Sequence, residues 1–283
     1  MATFFNQATL SYSGGTVNSN VTSGEIIEVL SASKTAVTGE YTQGSEITYA
    51  INIANSGASP INGLTVTDNL GEYTAGALTL YPMDYINGSV KYFADGILQP
   101  APAVIAGPPL VITGISIPAN GVATILYTAV VNSTASPLAD GTILNTAVIS
   151  GAGITDITVN ETVTSDNAPD LTIAKSVSPA VVTENGRITY TFVIQNTGNT
   201  PAVTTDNIVI TDTFDPILSD ISVTYNGTVL TEPDGYTYNP ATGDFATQPG
   251  AVTVPGATYT QNPATGIWTV TPGVATLTVS GNI

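Results

Sequence analysis

Cysteine and histidine are both absent from this chain of 283 residues. That removes disulfides, thiol nucleophiles, histidine general bases and the common zinc sites together. Positive charge is nearly absent too: Lys and Arg total 4 against 21 Asp and Glu, a net charge of -17. Such a chain is repelled by nucleic acid and by anionic membranes, so neither is an expected partner. Charged residues make up only 9%, far below the usual quarter, so solubility rests on Thr, Ser, Asn and Gly. No apolar run reaches the length of a membrane span, and no membrane insertion is expected.

What is present is a succession of short alternating strands rich in Val, Ile, Thr and Tyr, punctuated by Gly, Pro and Asn. The period of two places Ile47, Tyr49, Ile51 and Ile53 on one face, and likewise Ile188, Tyr190, Phe192 and Ile194. No long stretch has the helical period. The fold class predicted is all-β: two tandem immunoglobulin-like β-sandwich domains preceded by an N-terminal strand. An internal repeat sets the boundaries. LSASKTAV around Lys34 matches LTIAKSVS around Lys175, residues 46–57 match 187–198, LTVTDNLG around Asp68 matches IVITDTFD around Asp212, and 121–131 match 273–283. The predicted organisation is an arm over 1–24, a complete domain over 25–165 and a second domain over 166–283.

The copies differ in completeness. The first continues into GTILNTAVISG (141–151), for which the second has no counterpart after residue 283. A sandwich without that strand has an open edge and an uncovered apolar groove. The match lies at the other end of the chain: residues 5–23 resemble 144–165, with Asn6 on Asn145, Ala8 on Ala147 and Val21-Thr22-Ser23 on Val163-Thr164-Ser165. Phe4, Asn6, Ala8 and Leu10 form the core-facing set of the predicted donor strand. Given to a neighbour, this strand makes a head-to-tail contact, and such contacts generate open filaments. Folding back within its own chain is the alternative, and it requires a long excursion across a whole domain.

Strand parity puts Lys34 and Lys175 on apolar faces, where a charge is costly without a partner. Asp68, Asp212, Asn145 and Asn6 also fall on core-facing parity. A buried lysine loses its proton more easily, and a buried acid keeps its own. Held together, the amine attacks the asparagine carbonyl, ammonia leaves and an isopeptide bond remains. The expected bonds are Lys34–Asn145 assisted by Asp68, and Lys175–Asn6 assisted by Asp212. A buried Lys–Asp ion pair with a hydrogen-bonded Asn is the alternative, and Asn282 is a second candidate partner for Lys175.

The repeats resemble the bacterial surface "conserved repeat" β-sandwich family (domain of unknown function eleven). Lys34, Tyr49 to Gly57, Val66 to Leu70 and Asn145 to Ala147 carry the resemblance in the first copy. Lys175, Tyr190 to Gly198 and Ile210 to Phe214 carry it in the second, with Asn6 to Ala8 supplied from the N-terminus. Gln7 departs from the family's Thr, as does the transposed strand. The resemblance implies a surface or appendage location, a structural role and self-assembly. It is similar in logic to pilin and adhesin domains with Lys–Asn bonds.

The function expected is a structural subunit of an extracellular fibre, a pilus or spore appendage, whose partner is itself. A tip or anchor protein is a further candidate partner. No cofactor and no metal are expected. An enzyme is disfavoured by the lack of His, Cys and a paired-carboxylate motif; isopeptide formation would be a single turnover. The N-terminus lacks the features of a signal peptide, and assembly within a sporulating mother cell would accommodate that. The competing function is a monomeric adhesin or carbohydrate-binding module, with Trp268 and the tyrosines between Tyr225 and Tyr259 as a sugar patch. Asp166, Asp170 and Asp206 are either a calcium site or solvated linker acids. Residues 237–245 and 260–268 duplicate an Asn-Pro-Ala-Thr-Gly turn and predict two matched hairpins.

Overall fold

The computed structural model describes residues 2–26 and 28–283. The chain is all-β, with one 3-10 turn at Thr204–Asp206 and no α-helix among the described residues. Among the described residues no helix is long and apolar enough to cross a membrane. Contacts divide the chain into two units.

The first unit is a sandwich of two six-stranded sheets. In one, the lysine strand Leu30–Ala36 lies at an edge and pairs antiparallel with Glu46–Asn55, which pairs in turn with Val122–Val131. Alternation dictates the packing: Ile47, Tyr49, Ile51 and Ile53 are fully buried, and the intervening residues are not. In the other sheet the acid strand Ile61–Asp68 is central. It pairs with Leu110–Ile117 on one side and with Thr142–Ser150 on the other, so Asp68 lies between Leu110 and Ala147. Beyond Thr142–Ser150 come Ile157–Ser165 and then the short edge strand Glu40–Tyr41. The segment following the first copy's repeat is therefore two strands, Thr142–Ser150 and Ile157–Ser165.

The second unit carries a five-stranded sheet in which the lysine strand Leu171–Ser178 pairs with Arg187–Asn196, followed by Gly273–Asn282, Ser219–Tyr225 and Thr228–Leu230. Its opposite layer is smaller: Thr211–Thr213, Asp244–Thr247 and Tyr236–Tyr238. The register repeats that of the first unit, with Lys34 opposite Ile51 and Lys175 opposite Phe192. Tyr127 faces Tyr49 where Val279 faces Tyr190. Thr211–Thr213 pairs only with Asp244–Thr247; on its far edge, where the first unit places Thr142–Ser150, no strand is paired among the described residues. Ser133–Thr142 groups with this second unit although its sequence lies within the first copy. Hydrogen bonds tie it there: Asn199 Nδ2 donates to the Pro137 carbonyl at 3.1 Å, and the backbone N–H of Trp268 to the Ser133 carbonyl at 2.9 Å.

The duplicated turns match. Asn239 and Asn262 each accept from the Gly four residues on, Gly243 and Gly266, at 2.8 Å through the backbone carbonyl. Each also accepts through its side chain from the Ala N–H two residues on. Both glycines have positive φ, 80° and 73°, which a β-carbon would strain.

The arm is a hairpin where the sequence predicts a single strand over Phe4 to Leu10. Ala2–Asn6 pairs antiparallel with Thr22–Ile26, and Thr9–Tyr12 with Gly15–Asn18. Within a lone chain an extended segment leaves every backbone group of both edges unpaired, and the Ser-Gly-Gly at 13–15 lets it turn and pair with itself.

Candidate functional site

In the first unit three core-facing polar groups converge. Lys34, Asp68 and Asn145 are all buried. The lysine strand brings Lys34 Nζ to 2.6 Å from Asp68 Oδ2. Its ammonium lies 4.8 Å from the centre of the Tyr49 ring and 5.9 Å from that of Tyr127, and those two rings stack on each other at 5.4 Å. Such faces stabilise the cation where water cannot reach it. Asp68 Oδ2 also accepts from the Tyr127 hydroxyl at 2.6 Å, and Oδ1 from the Leu70 N–H at 2.9 Å. Tyr127 in turn accepts from Asn145 Nδ2 at 2.8 Å. A continuous chain of bonds thus runs from Lys34 through Asp68 and Tyr127 to Asn145. Asn145 Oδ1 is buried and has no hydrogen-bond partner, a costly arrangement for an amide carbonyl.

Burial pushes the Lys34 amine down to about 8; the Asp68 carboxylate, and Glu161 more weakly, oppose the fall. About a tenth of the amine is neutral at pH 7, against roughly one in three thousand for an ordinary lysine. Burial first, and then the charge of Asp68, hold the Tyr127 phenol well above its usual range, so it stays a donor at every ordinary pH. The site therefore holds an amine with an accessible neutral form and an amide, linked by a carboxylate and a phenol able to pass a proton.

Tyr127 was not among the residues the sequence singled out. The signal was available: Ala123, Ile125, Tyr127 and Ala129 share core-facing parity, and the second repeat has Val279 in place of the tyrosine.

In the second unit Lys175 Nζ forms an ion pair with Asp212 Oδ2, beside the rings of Tyr190 at 4.5 Å and Phe214 at 5.4 Å. The parity is that of the first site but the enclosure is not. The Lys175 side chain is 41% exposed, and the sequence expectation of a buried amine does not describe this arrangement. The neighbouring apolar residues are uncovered as well, with Ile173 56% exposed. The physical reason is the one-sided pairing of Thr211–Thr213: among the described residues no strand takes the place that Thr142–Ser150 holds over Lys34 in the first unit. A groove of about 510 Å³ crosses this three-stranded layer, lined by Asp212, Tyr238 and Phe245 among others.

Asn6 lies exposed on the hairpin, opposite Thr22. Phe4, Ala8 and Leu10 are exposed too. Asn282, the other candidate partner of Lys175, pairs with Arg187 and Ser219 on the strand Gly273–Asn282 and donates to Asp220 at 3.3 Å. Of the aromatic residues considered as a sugar patch, Trp268, Tyr225, Tyr238 and Tyr259 are half-buried. Tyr225, Tyr238 and Tyr259 donate their hydroxyls to the backbone carbonyls of Thr253, Leu218 and Thr197, and Tyr236 packs on Phe245. Among the described residues no three acidic groups gather as a metal site. Asp170 accepts from Thr197 and Asp206 from the Val203 N–H.

No family model matches the chain, and no curated protein matches it. Solved structures do. The pilus backbone of Streptococcus pneumoniae is 11% identical, with a TM-score of 0.35, over 86% of this chain and 55% of that one; the chain thus spans about half the length of that protein. The major pilin subunit of Bacillus cereus is 14% identical, with a TM-score of 0.36, over 85% of this chain and 73% of that one. A collagen-binding domain from a Staphylococcus aureus adhesin is 10% identical, with a TM-score of 0.31, over 49% of this chain and 99% of that one. The likeness is of fold alone.

Proposed function

We propose that the chain is the repeating subunit of an extracellular fibre on a cell or spore surface, in which the N-terminal arm of one copy completes the second unit of the next. The observation that carries this reading is the one-sided pairing of Thr211–Thr213 beside an uncovered lysine strand. The first unit fills that place with Thr142–Ser150, and the segment matching those residues is the exposed arm. Both halves of the contact are apolar and exposed on the same chain. Burying one large apolar side chain stabilises by about 1.5–3 kcal/mol, so exposed Phe4 and Leu10 on the arm and Ile173 on the lysine strand favour docking. A contact between two different surfaces of identical copies propagates as a filament.

The asparagine then makes the contact permanent. At the first site, the neutral Lys34 amine attacks Cγ of Asn145 and a C–N bond forms. The Cγ–Nδ2 bond breaks, and the proton lost by the amine passes along Asp68 and Tyr127 to the departing nitrogen, which leaves as ammonia. At the second site Asn6 of the neighbouring copy meets Lys175, with Asp212 in the role of Asp68. Docking encloses Lys175 beside Asp212, so amine and amide are held together only once the fibre contact is made.

Boiling assembled material in denaturant and resolving it by size tests the reading. A ladder of multimers is expected, reduced to the monomer by Lys175→Ala. Deleting residues 1–24 should abolish the fibres seen by electron microscopy. Fibres that persist after that deletion, or a single monomer band from the intact protein, would return the chain to the adhesin class.

A further inference from the structure

We infer that the element donated to the neighbouring copy is the whole hairpin, two strands wide, and that its second strand docks against Val181–Val182. This rests on the fibre reading and extends it from one strand to two. In the first unit the acid strand is followed across the sheet by Thr142–Ser150, then Ile157–Ser165, then Glu40–Tyr41. The repeat carries Glu40–Tyr41 onto Val181–Val182, at the same spacing from the lysine. In the second unit these two residues belong to no strand, and Val181 is 89% exposed. The place left open therefore lies between Thr211–Thr213 and Val181–Val182, and in the first unit two strands occupy it.

The arm has the matching width. It is already a hairpin, and its second strand repeats the pattern of Ile157–Ser165: Val17 and Val21 fall on Val159 and Val163, both buried in the first unit. In the arm Val17 and Val21 are more than half exposed. On the first strand Ala8 and Leu10 fall on Ala147 and Ile149, buried opposite Asp68 and Val66. The docked register follows, with Ala8 opposite Asp212 and Leu10 opposite Ile210. A single donated strand would leave Val17, Val21 and Val181 in water and the backbone of Val181–Val182 without a strand to pair with.

The hairpin also holds a slip that docking must remove. Near its tip Leu10 faces Val17, so the two share a face as their counterparts do. Past an irregularity at Gln7 and Ala8, Asn6 faces Thr22, one residue out of step, which puts Asn6 and Val21 on opposite faces. Continuing the tip register places Asn6 opposite Val21, with both facing the groove.

The chain has no native cysteine, so engineered disulfides report the docked geometry cleanly. In assembled fibres of the full chain, Thr9→Cys with Thr211→Cys tests the first strand. Val181→Cys paired in turn with Asn18→Cys, Asn20→Cys or Thr22→Cys tests the second, all three lying on the outward parity of the docked strand. After oxidation, the linked peptides are identified by mass spectrometry. The expected result is a Thr9–Thr211 link together with a Val181 link to one of the three positions. A Thr9–Thr211 link with none to Val181 overturns the two-strand docking and leaves single-strand donation standing. Neither link overturns both.

Discussion

At the scale of the residue, the decisive quantity is the proton affinity of Lys34. Its folded value of about 8 lies below the 10.5 of an ordinary lysine, so between these values the unfolded chain binds more protons and stability rises with pH. Above pH 10 the buried phenols Tyr49 and Tyr127, whose affinities are raised by burial, act in the opposite sense. The window is therefore pH 8 to 10. Asn145→Ala, which keeps a free amine, should gain on the order of 2–3 kcal/mol across it in urea unfolding. The wild-type protein, once joined, has no amine to titrate there and should be flat. A wild-type rise equal to that of the variant would mean that the groups are only paired. Mass makes the same distinction, because each bond releases one ammonia. Tyr127→Phe removes the hydroxyl that joins Asp68 to Asn145 and leaves the Asn145 amide without its partner. It should lower stability by about 1–3 kcal/mol and slow the loss of ammonia at the first site. The second site, where Val279 already stands, should be indifferent to that change. Removing Asp68 is harsher: Asp68→Ala strands a buried ammonium and should cost about 3–5 kcal/mol, read from the denaturation midpoint.

At the scale of the element, the arm and the lysine strand of the second unit both expose apolar side chains, Phe4 and Leu10 on one and Ile173 and Val177 on the other. A two-stranded hairpin is marginal in water by itself, and the exposed residues Phe4, Leu10, Val17 and Val21 give this one little to hold it. The free arm should therefore exchange its amide hydrogens quickly, and assembly should protect residues 2–12 and 15–26 together. Protection confined to the first strand would contradict docking of the hairpin. Val21→Asp should reduce polymerisation strongly, because a charge at the place of buried Val163 has no partner. Thr16→Asp, on the outward parity, should leave polymerisation nearly unchanged. Fibre yield by sedimentation measures both. The duplicated turns at Asn239 and Asn262 were legible as matched hairpins from their residues alone, because both glycines must adopt positive φ and both asparagines cap the turn.

At the scale of the whole molecule, alternation and repetition carried most of the fold. A period of two written in Val, Ile, Tyr and Thr leaves a β-sandwich as the way to bury one face, and the match of the segments around Lys34 and Lys175 pairs the two lysine strands, which take the same register. The candidate site was legible to the same degree, since Lys34, Asp68 and Asn145 each stand at core-facing parity. What parity cannot give is distance or cover. Only the packed sheets brought Tyr127 between Asp68 and Asn145, left Asn145 Oδ1 without a donor and held Lys34 dry while Lys175 stayed wet. Only the tertiary structure turned the predicted arm strand into a hairpin and moved Ser133–Thr142 to the second unit, because backbone groups pair with whatever edge lies within reach and not with what is near in sequence. The sequence by itself determined which side chains point the same way along each strand. The fold decided which of them meet, because burial depends on strands contributed from elsewhere in the chain.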